Sequence, residues 1–201
     1  MEILLRGIGK KYNGQWLFRE INKTIPSLGT CAITGPNGSG KSTLLQLIYQ
    51  YAIPSEGEIE FISDQKSLES EDAAKHISFV APYLELPEEL TLNEVIHFHF
   101  RMKKTTTLDY SFIIHSCGLQ GNEGKQVKYF SSGMKQRLKL ALGFYSEKKL
   151  LLLDEPLTNL DKQGEAWYQK EIESLLNQCT IIVASNQEKE WRFCNKEINL
   201  H

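Results

Sequence analysis

Glycine, lysine and serine recur at fixed spacing in Gly35-Pro36-Asn37-Gly38-Ser39-Gly40-Lys41-Ser42-Thr43, a run that fits the phosphate-binding pattern G-x-x-x-x-G-K-[ST]. In that pattern the glycines let backbone N–H groups turn inward around a β-phosphate. Lys41 reaches the β- and γ-oxygens, and Ser42 offers its hydroxyl to Mg²⁺. The restricted positions coincide by chance in a chain of this length on the order of once in a hundred times. The spacing therefore predicts a nucleoside triphosphate site over residues 35–43.

A second group of chemical residues closes an apolar run, Lys149-Leu150-Leu151-Leu152-Leu153-Asp154-Glu155-Pro156. If the run is a buried strand ending beside the phosphate loop, Asp154 points at the Mg²⁺ held by Ser42. Glu155 then lies next to an attacking water, which a carboxylate can orient and deprotonate. A third candidate is Ser131 in Tyr129-Phe130-Ser131-Ser132-Gly133-Met134-Lys135-Gln136-Arg137. A serine there reads as the N-cap of an amphipathic helix, and a helix N-terminus is also an anion site.

These side chains need elements to hold them. Thr30–Thr34 reads as a short buried strand before the phosphate loop, and Leu44, Leu45, Leu47 and Ile48 carry an apolar helical face onward through Tyr51. The dipole and free N–H groups of that helix face the phosphates. Residues 1–30 alternate apolar segments with Gly7, Gly9, Asn13-Gly14, Pro26 and Gly29, the pattern of antiparallel strands. Strands are expected at Glu58–Ile62 and Ile77–Ala81. Thr91-Leu92-Asn93-Glu94 is a capping box opening a helix through His99 or beyond. Further on, a helix near Gly133–Tyr145, a strand Leu150–Asp154, a helix Lys162–Asn177 and a strand Thr180–Ala184 are expected. Alternating strand and helix implies a mostly parallel sheet with helices on its faces. The polar, helical stretch from Pro82 to about Tyr129 reads as an inserted subdomain.

Bulk composition narrows the function class. The 201 residues suffice for one sizeable core, with 41% apolar and 24% charged residues and a net charge of −2, so nothing points to a wrapped nucleic acid or an anionic membrane as the main partner. Even an unbroken apolar run such as Leu150–Leu153 is far short of the roughly 20 residues of a spanning helix. Residues 1–6 lack the features of a secretory signal, so a cytoplasmic chain is expected. Cys31, Cys117, Cys179 and Cys194 form no C-x-x-C pair and suit reduced thiols. His97 and His99, two apart on a helix, do not share a face and read as structural.

Taken together, the stretch from Phe130 to Arg137 resembles the L-S-G-G-Q-x-Q-R signature of ATP-binding cassette (ABC) ATPases, with Phe130 for Leu, Ser131 for Ser, Ser132 and Gly133 for the glycines, Met134 for Gln, then Gln136 and Arg137. The resemblance extends over essentially the whole chain. It implies an α/β, P-loop NTPase fold of the ABC-ATPase type: a single domain over 1–201, with 1–81 and 131–201 forming the nucleotide-binding core and its N-terminal antiparallel β subdomain, and 82–130 the helical subdomain. By the same resemblance Tyr12 stacks on adenine, and Asp161 in Leu160-Asp161 belongs to a loop that crosses to a partner subunit. Ser131 and Gly133 then contact the γ-phosphate held by the phosphate loop of a second, head-to-tail copy. ATP and Mg²⁺ are the implied cofactors. A homodimer or paired homologous ATPase and a separate transmembrane permease are the implied partners, with the chain peripheral on the inner face of the membrane.

Two positions depart from the family pattern. Pro82 or Tyr83 stands where the family has a glutamine, and Asn186 stands where it has a switch histidine. Asn186 can donate a hydrogen bond to a phosphate oxygen but cannot titrate. The expectation is an ATP-hydrolysing subunit that powers a membrane transporter, an exporter by its short length, slow without its partner. The alternatives are a nucleotide-binding regulator with little hydrolysis, and a soluble ABC-type ATPase acting on nucleic acid or the ribosome.

Overall fold

The computed structural model of the chain describes residues 1–107 and 109–201; Leu108, inside the expected helical insert, lies outside the described residues. The chain divides into two compact units, Met1–Phe79 with Lys148–Glu155 and Leu176–His201, and Val80–Glu147 with Pro156–Leu175.

The first unit holds two sheets. β1 (Glu2–Tyr12) and β2 (Gln15–Ile25) are joined by a tight turn at Asn13-Gly14, both at positive φ, the conformation that Asn-Gly adopts readily in two-residue hairpins. Gly7 and Gly9 do not interrupt these strands as turns. They sit where the β1–β2 register shifts, so two long strands replace several short ones. β4 (Glu56–Ser63) and β5 (Lys66–Leu68) complete the antiparallel sheet in the order β2-β1-β4-β5.

The second sheet of this unit has the order β6-β7-β8-β3-β9, from β3 (Thr30–Thr34), β6 (Ile77–Val80), β7 (Leu150–Asp154), β8 (Thr180–Ala184) and β9 (Lys196–Asn199). The ladders β7–β8, β8–β3 and β3–β9 are parallel. β3, β7 and β8 are buried at every residue, which is why they read as continuous apolar runs rather than alternating ones. Helix α1 (Lys41–Ile48) buries Leu44, Leu45, Leu47 and Ile48 in one core with Ile33, Leu150, Leu152 and Ile182. It stops at Ile48 rather than Tyr51; Gln50 has φ 66, a left-handed conformation that ends a helix. Short helices α2 (Ser70–Lys75) and α7 (Glu188–Trp191) complete the unit.

The second unit is helical: α3 (Leu92–Met102), α4 (Tyr110–Ser116), a 3₁₀ turn Val127–Tyr129, α5 (Ser132–Tyr145) and α6 (Lys162–Leu175). Its core gathers Leu92, Val95, Ile96, Ile113, Leu119, Val127, Leu138 and Ala141. Thr91 and Glu94 form the capping box that opens α3. α6 ends at Leu175, short of Asn177, which has φ 64.

Both histidines of α3 serve packing. His97 Nδ1 lies 2.7 Å from the Asn93 carbonyl oxygen, and its ring meets Tyr110 edge-on. His99 Nε2 lies 2.9 Å from Ser146 Oγ, and burial, followed by the charge of Lys103, pushes its imidazole down to about 4. An unfolded histidine titrates near about 6.5. Between those values the unfolded chain binds a proton that the folded chain refuses, so this group's contribution to stability falls as pH drops through that window. His99→Gln is expected to flatten the loss of Tm between about pH 7 and about pH 5, equivalent to roughly 1–2 kcal/mol. Equal slopes for both proteins would show that His99 is not the group responsible.

Candidate functional site

The phosphate loop joins β3 to α1, and its geometry follows from its glycines. Gly35, Gly38 and Gly40 have φ of 138, 82 and 99, values that side chains with a Cβ rarely adopt. Gly40 is the N-cap of α1, and a Cβ on it would come within 2.7 Å of Leu17 and 2.8 Å of Phe18. Gly35 is tighter still: its Cβ would lie 2.2 Å from the Leu200 carbonyl oxygen. Leu200 is fixed there because its N–H donates to the Thr34 carbonyl at 2.9 Å, just beyond the β3–β9 ladder. The chain after β9 therefore forms a floor under the phosphate loop. Gly35→Ala is expected to cost about 2–4 kcal/mol of stability from overlap and strain together. Gly38→Ala, which meets nothing within 4 Å, should cost less. Thermal denaturation of the two variants checks the order.

An open cleft of about 410 Å³ is lined by Leu17, Asn37, Gly38, Gly40, Lys41, Ser42, Thr43 and Glu155. It brings together the two groups that the sequence holds more than a hundred residues apart. Lys41 is 6% exposed, and its ammonium donates to the carbonyls of Gly35 at 2.8 Å and Pro36 at 3.0 Å. Glu155 directly follows β7. Its N–H donates to the Ala184 carbonyl at 2.9 Å, and its φ of 41 turns the chain at the strand end. Asp154, 2% exposed, is the last residue of β7 and pairs with Ala184 in the ladder. Asn186 lies two residues after β8, and its Nδ2 donates to Asn37 Oδ1 at 3.2 Å.

This cleft fits Mg²⁺ and a polyphosphate. Ser39 Oγ, in the same loop though outside that lining, is buried and has no hydrogen-bond partner among the described residues, an orphan hydroxyl that a phosphate oxygen would satisfy. A positive ammonium, a helix N-terminus and loop glycines without side chains supply what an anion needs. Ser42 and the buried Asp154 carboxylate offer hard oxygen donors suited to Mg²⁺.

Tyr12 stands at the end of β1, 51% exposed, with the Lys10 ammonium 5.1 Å from its ring centre. It is not part of the cleft lining; Leu17 of β2 is. Sequence reasoning missed Leu17, since its part depends on the β2 register that lays it over Gly40. Alternation along β2 was the available signal.

The remaining sequence candidates gather in the second unit. A cleft of about 500 Å³ there is lined by Ser131, Ser132, Gly133, Met134, Arg137, Asn159 and Asp161, among others. Ser131 caps α5, its Oγ accepting from the Met134 N–H at 3.2 Å. A Cβ on Gly133 would approach the Asn159 carbonyl oxygen to 2.9 Å, so glycine permits a close backbone approach here. Asp161 is turned toward its own chain. Its Oδ1 accepts from the Gly164 N–H at 2.8 Å, capping α6, and from Arg137 Nη2 at 2.5 Å. Those two contacts, the Gly164 bond first, hold its carboxyl below its usual range.

A family model described as "ABC transporter" matches residues 18–158. The Nod factor export ATP-binding protein I of Rhizobium johnstonii is 29% identical over 96% of this chain, which spans 64% of that relative's length. The lantibiotic transport ATP-binding protein SrtF of Streptococcus pyogenes is 30% identical over 90% of this chain and 79% of its own. Among solved structures, an ABC transporter ATP-binding protein from Pyrococcus furiosus superposes with a TM-score of 0.83 at 22% identity, covering 100% of this chain and 98% of that one. A dimeric ATP-binding cassette, described as a post-hydrolysis state bound to ADP and Pi, superposes at 0.82 with 22% identity, covering 98% and 94%. The fold is thus that of the ABC ATPase cassettes, and the matched segment runs from the strand that covers Gly40 past the two acids at the end of β7: the chain belongs to the ABC transporter family.

Proposed function

We propose that this chain is the ATP-binding and ATP-hydrolysing subunit of a membrane transporter. The observation that carries the reading is the single cleft lined by Lys41, Ser42 and Glu155. Gly35 to Thr43 present backbone N–H groups to the phosphates, and Lys41 exchanges its contacts with the Gly35 and Pro36 carbonyls for β- and γ-oxygens. Mg²⁺, when bound, would supply charge neutralisation, and Ser42 and Asp154 would hold it. Glu155 takes the proton of the attacking water, and Tyr12 receives the base. The names of the two relatives, one of Nod factor export and one of lantibiotic transport, support a role in transport.

We further infer that a working site needs two chains. A phosphate-loop cleft lies in the first unit and a cleft at the N-terminus of α5 in the second; in this reading Ser131 and Gly133 serve the phosphate loop of a partner copy, with Asp161 beside them. The dimeric cassette neighbours support this arrangement. No helix of the described residues is long and apolar enough to cross a membrane. The relatives' names as ATP-binding proteins of export and transport support a separate permease as the partner, with this chain peripheral on it at the cytoplasmic face. Residues 82–130 are the proposed docking subdomain, and 1–81 with 131–201 the nucleotide-binding core.

Phosphate release from Mg-ATP by the purified chain, alone and with its co-purified membrane partner, tests the reading. ATP-dependent release is expected; none in either sample contradicts it. Asn186 bears on the rate. Held on Asn37, it places an uncharged donor at the edge of the phosphate loop. Asn186→His is expected to change turnover while leaving ATP affinity within about twofold. An unchanged rate would remove Asn186 from the catalytic set.

A further inference from the structure

Lysines of the second unit converge on the short loop that follows β6. Lys139 of α5 donates its ammonium to the Pro82 carbonyl at 2.6 Å. Lys135, one turn earlier on the same helix, pairs with Glu88. Lys128 pairs with Glu89 at 2.8 Å, and its N–H donates to the Glu88 carbonyl at 3.0 Å. The loop also bends on itself, the Leu84 N–H donating to the Ala81 carbonyl at 3.2 Å across Pro82.

These contacts are not equivalent. Glu88 and Glu89 are mostly exposed, with side-chain exposures of 53% and 79%, and exposed pairs contribute little. Lys139 is half-buried. Burial first, and then the charge of Lys135, lowers the affinity of its amine for the proton, while Glu85 opposes them. An ammonium drawn out of water onto a backbone carbonyl is a costly arrangement that surface exposure would avoid. Its consequence is positional: proline offers no N–H to anchor the loop, so the carbonyl is the backbone group of residue 82 that a helix side chain can hold. The helix that holds it is the one capped by Ser131, about 12 Å away along the axis.

We propose that Lys139 is a positioning residue for ATP turnover, fixing the Pro82 carbonyl and with it the loop 82–89 to the helix whose N-terminus carries Ser131 and Gly133. The proposal rests on the ATPase reading above. A change at the N-terminus of α5 then carries the loop with it as one body, and the Lys128 N–H on the Glu88 carbonyl keeps the far end in register.

The test uses the full chain with Lys139→Met, which keeps the apolar stem and removes the donor, and Lys139→Arg, which keeps a donor. Lys139→Met is expected to lower kcat about tenfold with KM for ATP within about twofold, and Lys139→Arg to restore most of it. Without nucleotide, hydrogen exchange at the Leu84 amide should quicken about tenfold in Lys139→Met and stay near wild type in Lys139→Arg. An unchanged kcat in Lys139→Met, a loss that arginine does not repair, or unchanged Leu84 exchange would each overturn the proposal. Absence of phosphate release from the wild-type chain counts against the ATPase reading instead, and the Leu84 exchange still decides whether Lys139 holds the loop.

Discussion

Replacing Glu155 by glutamine should lower steady-state ATP hydrolysis by about 10²–10⁴-fold, the usual contribution of a positioned general base, while ATP affinity changes little. The substitution is nearly isosteric, and the backbone environment survives it. The Glu155 N–H keeps its bond to the Ala184 carbonyl at 2.9 Å, and glutamine is no worse than glutamate at a φ of 41. What disappears is the ability to take a proton at a point lining the same cleft as Lys41 and Ser42. Because binding persists without turnover, Mg-ATP should hold Glu155→Gln as a lasting dimer that light scattering detects. Phosphate release from Glu155→Gln at the wild-type rate would assign the base elsewhere.

Lys41→Ala should have the opposite signature, loss of binding before loss of chemistry. The ammonium is almost fully buried and makes two charge-assisted bonds to loop carbonyls. Contacts of this kind with phosphate oxygens are worth roughly 1.5–3 kcal/mol each. Losing two such contacts is therefore expected to lower nucleotide affinity by about 10²–10⁴-fold. The variant also leaves the Gly35 and Pro36 carbonyls without their donor, so a modest drop in Tm should accompany it. Equilibrium titration with a fluorescent ATP analogue separates the two effects. Wild-type affinity in a folded Lys41→Ala chain would mean that the cleft binds its nucleotide by other groups.

The parts of the site that the sequence displays are those built from neighbours in the chain. β7 begins with its apolar run and ends one residue past it, at Asp154, because a fully buried parallel strand has no alternation to obscure its limits. The Thr91–Glu94 capping box and the Ser131 cap are likewise local, each joining residues three apart. Relations across the sheet are not visible in the same way. That Leu200 closes on Gly35 depends on β9 adding beside β3, and β9 is a four-residue strand with only Ile198 buried, too short to announce itself. Leu17 reaches the cleft through the register of β2, which shifts along β1 at Gly7 and Gly9. Asp161 is legible only in part: the cap it makes on α6 joins residues three apart, while its ion pair with Arg137 reaches back to α5, 24 residues earlier in the chain.

Mixing two inactive variants tests the two-chain site most directly. Lys41→Ala lacks the phosphate-loop lysine but keeps Ser131, and Ser131→Arg keeps the phosphate loop but blocks the N-terminus of α5. Each alone should hydrolyse ATP at background. In an equal mixture about half the dimers are mixed and each of those has one intact site, so activity should return to about a quarter of wild type. A mixture that stays at the mean of the two separate samples would show that hydrolysis is completed within one chain.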